Sequence, residues 1–357
     1  MESFVYNVNP GRVVFGQGAS YRLPEELSRQ GLHAALILST VHQRGQAEAL
    51  RTLVGKDAVG IFSDAAMHTP VEVTDEALKV AKNFKADSIV SIGGGSTIGL
   101  GKAISIRTGL PHICIPTTYA GSEMTPILGE TANGVKTTRR DPMILPGTVI
   151  YDVDLTMSLP AGMSATSGVN AIAHAVEALY APDTNPIINL LAKEGIRSLS
   201  HALVTIVESP QDTIARSQAL YGAWLCGLCL GSTAMSLHHK LCHTLGGSFN
   251  LPHAETHTIL LAHALAYNAP AVPVAMEQIA SALPDADGDA IAGLNKLLDR
   301  LNVVRALKDV GLKEEDVAKA ASFAVKNQYS NPRPVEEDRV RELIRRAWAG
   351  EAAKSNL

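Results

Sequence analysis

Six of the 12 histidines in this chain fall between His238 and His263, a concentration that ordinary scatter rarely produces. In the segment SLHHKLCHTLGGSFNLPHAETH, His239 and His243 stand four apart on one helical face, and His253 follows a Gly-Gly break and Pro252 that turn the chain back. Upstream, Asn170 and His174 in SGVNAIAHAVEALY form a second pair at the same spacing. Two helices so arranged present Asn170, His174, His239 and His253 to one point, with His243 a turn away from His239. Three imidazoles and an oxygen donor suit zinc, iron or nickel. Asn170, however, is neutral and offsets none of a divalent ion's charge. The expectation is therefore a polar catalytic pocket that works with no metal, an occupied metal site being the alternative.

A second chemical signal lies at SIVSIGGGSTIG, Ser88 to Gly99: an apolar strand, three glycines, then Ser96 and Thr97 opening a helical segment. Gly93, Gly94 and Gly95 permit close backbone approach, and a helix N-terminus offers free N–H groups and a positive dipole end, which together suit a pyrophosphate. The pattern is neither G-x-G-x-x-G nor a Walker loop, so alone it describes a ligand-free turn equally well. A second loop, PTTYAGSE from Pro116 to Glu123, follows the strand at His112 to Ile115, and ligands of open α/β sheets sit beyond the carboxyl ends of strands. Its Thr117 and Thr118 hydroxyls suit a ribose or an amide. After the strand Ala34 to Ser39, where a dinucleotide site often carries an acid, stand Ser39 and Thr40. No carboxylate repels a 2′-phosphate there, so use of both NADH and NADPH is expected.

These groups need elements to hold them. Short β-branched runs at Ala34 to Ser39, Ala58 to Phe62, Ser88 to Ile92, His112 to Ile115 and Val149 to Tyr151 alternate with amphipathic stretches such as Thr74 to Phe84. That alternation predicts a Rossmann-like parallel sheet over residues 1–157. From about Ser158 the texture changes to long alanine- and leucine-rich segments, Gly168 to Tyr180, Ile187 to Val207 and Asp212 to Cys229, which predicts an all-helical catalytic domain over 158–357.

Composition narrows the function. The 357 residues carry a net charge of −4, with 31 basic side chains dispersed along the chain, so a nucleic-acid footprint has no support. Ala219 to Leu237 is free of formal charge, but glycines interrupt it and it runs into His238, His239 and Lys240, which reads as a buried helix and not a membrane span. Four cysteines make no disulfide framework, and no signal peptide is evident, so a cytoplasmic location is expected. Cys226 and Cys229 lie in an apolar helical stretch and read as buried thiols, Cys114 as sheet core, and Cys242 as a neighbour of the pocket.

The strings PTTYAGSEMTP, VKTTRRDPMILP, HHKLCHTLGG and LPHAETHT resemble the iron-containing alcohol dehydrogenase superfamily over essentially the whole chain, and within it the maleylacetate reductases. The architecture implied is the one that superfamily shares with dehydroquinate synthase. In metal-dependent relatives an Asp and three His bind the ion; by motif those places fall on Asn170, His174, His239 and His253. The departure at Asn170 fits a branch regarded as metal-independent, and the loop Pro116 to Glu123 is shorter than the usual P-T-T-A-G-T-G-S-E.

The resemblance implies reduction of the carbon-carbon double bond of maleylacetate to 3-oxoadipate by NADH or NADPH, in the degradation of aromatic compounds. Hydride addition to a conjugated enone leaves an enolate that hydrogen-bond donors can stabilise. On that basis Gly93 to Thr97 bind the pyrophosphate, Thr117 and Thr118 hold the nicotinamide-ribose side, and Lys136 reaches the ribose. His243 is the first choice for proton donor and His253 the second, while His174, His239 and Asn170 orient the substrate. A dicarboxylate needs cations, for which Lys240, Arg139 and Arg140 are candidates. A homodimer is implied by the family alone. The rival readings are a metal-dependent alcohol or polyol dehydrogenase of the same superfamily, a lyase resembling dehydroquinate synthase, and a nucleotide-binding regulatory protein.

Overall fold

A computed structural model describes Phe4, Tyr6 and residues 11–132 and 134–356, with backbone alone for Val135 and Lys136. The chain divides into two compact units, one running Val8–Leu159 and the other built on Pro160–Leu357. The first contains β1 (Arg12–Gly16), α1 (Leu23–Arg29), β2 (Ala35–Leu38), α2 (Arg44–Val54), β3 (Ala58–Phe62), α3 (Val71–Asn83), β4 (Ser88–Gly93), α4 (Gly95–Thr108), β5 (His112–Pro116), the pair β6 (Ile127–Ala132) and β7 (Val135–Arg140), and β8 (Thr148–Asp152). Six strands make a parallel sheet in the order β1-β8-β5-β4-β2-β3, and β6 with β7 forms a separate antiparallel hairpin.

Alternate residues of the central strands serve opposite faces. Leu36, Leu38 and Ile89 pack with Ala77, Ala81 and Ile104 on one side, and Ile37, Val90 and Ile92 with Leu23, Leu27 and Leu50 on the other. Helices cover both faces, so these strands are apolar throughout, which makes them legible as continuous runs. The sequence reading misses β1 and the hairpin. Thr137 to Arg140 of β7 are exposed, and a strand that buries neither face carries no apolar period. Helix α3 also starts earlier than read, at Val71 behind extended Pro70; Thr74 is buried inside its first turn, its hydroxyl donating to the Pro70 carbonyl at 3.3 Å.

Strand order places the first site. The chain leaves β2 toward β3 but leaves β4 toward β5, so a crevice opens between the carboxyl ends of neighbouring β2 and β4.

The second unit contains α5 (Ala161–Ala178), α6 (Pro186–Glu208), α7 (Thr213–Ser232), α8 (Leu237–Phe249), α9 (His253–Asn268), α10 (Pro273–Ala282), α11 (Ala290–Arg300), α12 (Val317–Ala324) and α13 (Glu337–Ala349). Among the described residues no single helix is long and apolar enough to cross a membrane; the uncharged stretch is α7 running into α8 through a 93° bend. Small residues let α6 and α7 approach closely. A Cβ on Gly222 would lie 3.0 Å from the Leu199 nitrogen and 3.1 Å from the Gly195 carbonyl oxygen, both backbone atoms with nowhere to go. Gly222→Ala is thus expected to destabilise the helical unit by roughly 1–3 kcal/mol despite alanine's better helix propensity, measurable as a lower denaturation midpoint. An unchanged or raised midpoint would contradict this packing account.

Candidate active site

In the first unit the glycine turn and the threonine loop meet. Gly93 ends β4 with φ of 149°, and a Cβ there would sit 2.6 Å from both the Gln43 Oε1 and Thr97 Oγ1 atoms. Gly94 caps α4, Gly95 is exposed and Ser96 half-buried, so the helix's free N–H groups face an accessible turn. Thr117 N–H donates to the Gly93 carbonyl at 3.1 Å, and a Cβ on Gly94 would touch Thr118 Oγ1 at 3.1 Å. Thr97 is fully buried and its hydroxyl has no hydrogen-bond partner.

Two side chains not singled out in the sequence hold these loops. Gln43 Nε2 donates to Thr117 Oγ1 at 2.7 Å and its Oε1 accepts from Thr40 at 3.2 Å, bridging the β2 and β5 ends across the crevice. Lys102, buried on α4, donates at 2.9 Å to the carbonyls of Thr125 and Ile127, tying down the stretch that follows the threonine loop. Ser39 is fully buried with its hydroxyl on Ser63 at 3.0 Å, while Thr40 is half-buried. Arg139 and Arg140 are exposed on β7, and the Lys136 side chain lies outside the described residues.

Beneath the turn, Ser91 Oγ donates to the Thr97 carbonyl at 3.2 Å and lies 2.8 Å from His112 Nε2. Burial, then the charge of Lys102, pushes His112 down to about 3 from 6.5. Above pH 6.5 folded and unfolded chains both hold it neutral, and its contribution is complete. As pH falls from 6.5 toward 3 only the unfolded chain takes the proton, so stability is expected to decline by up to about 1.4 kcal/mol per pH unit from this residue. Denaturation midpoints between pH 7 and 5 check this, and His112→Gln should flatten the slope; an unaltered slope would refute it.

The second unit gathers the imidazoles. Asn170 and His174 are buried one turn apart on α5, His239 and His243 lie on α8, and His253 opens α9 after Asn250 ends α8 in the left-handed conformation. His174 Nδ1 is 2.8 Å from His239 Nε2, and His257 joins the group with ring centroids 5.0 Å from His239 and 4.4 Å from His253. The structure therefore gathers His174, His239, His243 and His253 around His257 and His238, and Asn170 lies one turn of α5 before His174.

Glu177 organises them. Its carboxylate accepts the backbone N–H groups of Ser236 and His238 at 2.8 and 2.7 Å, standing in for a cap at the start of α8, and lies 2.7 Å from His239 Nδ1. With Nδ1–H donated to Glu177, His239 turns its Nε2 lone pair inward. Burial pushes His238 and His239 down to about 3, so both are neutral and able to donate a lone pair at neutral pH. His238 Nε2 lies 2.9 Å from His257 Nδ1, with Cys242 Sγ 3.7 Å from the same His238 nitrogen. His243 is half-buried, its Nδ1 2.9 Å from the Tyr329 hydroxyl, and half-buried Lys240 carries its ammonium 5.7 Å from the Tyr329 ring centroid.

Glu177, His238, His257 and Tyr329 are not among the site residues selected from the sequence. Glu177 was findable, since it sits three residues beyond His174 on the same face of α5, and so was His257, four beyond His253. Tyr329 is 86 positions from His243 and carries no signal. Cys114, Cys226, Cys229 and Cys242 are all free and buried, the first three as read from their surroundings; Cys242, read as a neighbour of the pocket, lies 3.7 Å from His238 Nε2.

A glycine turn at the switch point of a parallel sheet, followed by a helical unit with a carboxylate-oriented imidazole cluster, defines a class: dehydrogenases with a separate nucleotide unit and histidine-bearing unit. A family model described as iron-containing alcohol dehydrogenase matches residues 10–153, and one described as the Fe-containing alcohol dehydrogenase family, C-terminal, matches residues 164–348. The chain is 55% identical to a maleylacetate reductase of Rhizobium sp. (strain MTP-10005), covering 98% of this chain and 99% of that one. The crystal structure of maleylacetate reductase from Agrobacterium tumefaciens superposes with a TM-score of 0.95 at 52% identity, covering 99% of this chain and 100% of the other. An iron-containing alcohol dehydrogenase from Corynebacterium glutamicum gives 0.93 at 39%, covering 100% and 98%. The chain belongs to the iron-containing alcohol dehydrogenase family, in the branch of the maleylacetate reductases.

Membership corrects one expectation, that the pocket works with no metal. The family is described by its iron, and the donors present fit an ion. Asn170 Oδ1 is buried with no hydrogen-bond partner, one turn of α5 before His174; His238, Cys242 and His257 form a further buried group whose ligand atoms lie within 4.8 Å of one another. Weighing Asn170 alone missed Glu177, whose carboxylate supplies negative charge to the site through His239. By motif, Asn170, His174, His239 and His253 are the residues that could hold the ion, and the chemistry it would supply when bound is polarisation of a carbonyl oxygen.

Proposed function

We propose that this chain catalyses the NADH- or NADPH-dependent reduction of maleylacetate, 4-oxohex-2-enedioate, to 3-oxoadipate. The observation that carries the reading is the near-full-length identity to maleylacetate reductases, 46–55% in those compared. The reduced dinucleotide supplies a hydride when bound, and the turn Gly93 to Thr97 that opens α4, with the Thr117 and Thr118 hydroxyls, is suited to hold its diphosphate and ribose.

Hydride addition at the alkene carbon remote from the ketone leaves an enolate on the ketone oxygen, and a proton must then reach the carbon between them. Tightly held imidazoles at His174 and His239, with the Asn170 amide, are placed to orient the oxygenated carbons and accept little reorganisation as charge develops. His243 delivers the proton, because it alone of the α8 histidines is half-exposed and can be recharged from solvent; His253, also half-buried, is second. Lys240 meets a substrate carboxylate, and Arg139 or Arg140 is a weaker candidate. The same reading includes a cytoplasmic homodimer, a location supported by four free cysteines.

Loss of absorbance at 340 nm on mixing NADH with maleylacetate is the test. Stoichiometric consumption is expected, with little activity toward simple alcohols. Faster oxidation of alcohols than reduction of maleylacetate would favour the alcohol dehydrogenase reading, and the absence of net cofactor turnover would exclude both.

A further inference from the structure

We infer that Tyr329 is a positioning residue for proton transfer: it pins Nδ1 of His243, so that Nε2 is the nitrogen that hands a proton to the substrate. The inference rests on the proposed role of His243 and deepens it. Tyr329 lies in the segment between α12 and α13, and its hydroxyl is 2.9 Å from His243 Nδ1, the two rings meeting edge-on at 72° with centroids 6.0 Å apart. Among the described histidines of the cluster, His174, His238, His239 and His257 are sealed in the interior, while His243 and Tyr329 lie at its rim. The phenol is raised by burial and by the nearby Glu177 carboxyl, so it stays protonated and does not compete as an acid. The Lys240 ammonium lies over the same ring, 5.7 Å from its centroid, a cation–π contact that steadies the phenol without using its oxygen.

The proton count closes through this pair. Charged His243 carries a proton on each nitrogen, and the Tyr329 oxygen accepts from Nδ1–H. Nε2–H passes to the substrate carbon next to the enolate, the enolate electron pair forms the new C–H bond, and the ring is left neutral with its remaining proton still on Nδ1. The Tyr329 hydrogen bond is unchanged by the transfer, so no ring rotation or tautomer exchange is needed before solvent returns a proton to Nε2. A phenol oxygen held there favours the charged donor before transfer and the correct tautomer after it.

Tyr329→Phe keeps the ring and its stacking but removes the oxygen. It is expected to lower kcat by roughly tenfold, with KM for the dinucleotide within about twofold, as befits a residue acting through a general acid. In the double variant with His243→Ala the second change should add no further loss, the coupling expected of residues in one hydrogen bond. In the unaltered protein, nitrogen NMR of His243 in its neutral form should show the proton on Nδ1, and Tyr329→Phe should shift the population toward Nε2–H. Turnover within about twofold of the parent in Tyr329→Phe, additive losses, or a neutral His243 protonated on Nε2 in the unaltered protein would each overturn the inference. Full turnover in His243→Ala would remove the underlying assignment itself, an outcome distinct from a silent Tyr329→Phe beside a crippled His243→Ala.

Discussion

His243→Ala is expected to reduce turnover by about 10²- to 10⁴-fold while leaving dinucleotide affinity nearly unchanged, the range over which a positioned general acid acts. The expectation comes from access as much as from chemistry. His174, His238, His239 and His257 are sealed within the helical unit and hydrogen-bonded to one another or to Glu177, so none can exchange a proton with solvent on every cycle. His243 is half-exposed and held by a phenol that stays protonated. The groups suited to bind the dinucleotide belong to the other unit, at Gly93 to Thr97 and Thr117, so removing an imidazole from α8 leaves them untouched. Steady-state kcat with maleylacetate, set beside a fluorescence titration with NADH, separates the two effects. If turnover in His243→Ala stays within a factor of about two of the parent and collapses instead in His253→Ala, the donor role moves to the half-buried residue at the start of α9.

The second large effect concerns the metal. Asn170→Asp is expected to tighten retention of a divalent iron or zinc ion by roughly 10- to 100-fold, a factor comparable to what outer-shell groups contribute in metal sites. The amide oxygen at this position is buried with no hydrogen-bond partner, one turn of α5 before His174, and the substitution changes charge and not shape. As it stands, the site's negative charge comes from Glu177, one imidazole removed, and an ion held that way exchanges more readily than one held by a carboxylate. Metal content after dialysis against a chelator measures the difference. Chelation should also lower the turnover of the unaltered protein, with restoration on adding ferrous ion or zinc. Equal metal retention by both proteins would show that Asn170 does not face the ion.

Much of this site was legible because helical spacing is a strict rule. Asn170 with His174 and His239 with His243 share faces by arithmetic, and the four-residue step survives folding unchanged. The same rule would have added Glu177 and His257 had it been applied one turn further along α5 and α9. The error about the metal has that omission as its cause: a ligand set was judged by its own charges, and the carboxylate behind it was not counted. Tyr329 and Gln43 are of another kind. Tyr329 comes from the segment after α12 and Gln43 from the turn after β2, and nothing local marks either as the partner of His243 or Thr117.

The parallel strands were readable because burial on both faces leaves a continuous apolar run, whereas exposed β7 was not, since solvent imposes no pattern. By itself, then, the sequence determined which residues could carry chemistry and which of them share a helical face, since both depend on side-chain type and a fixed backbone period. Tertiary structure alone decided the strand order that sets β2 beside β4, the tautomer that Glu177 imposes on His239, and the pairing of His243 with Tyr329. Each of these is a contact between segments distant in the chain, and periodicity constrains only neighbours within an element.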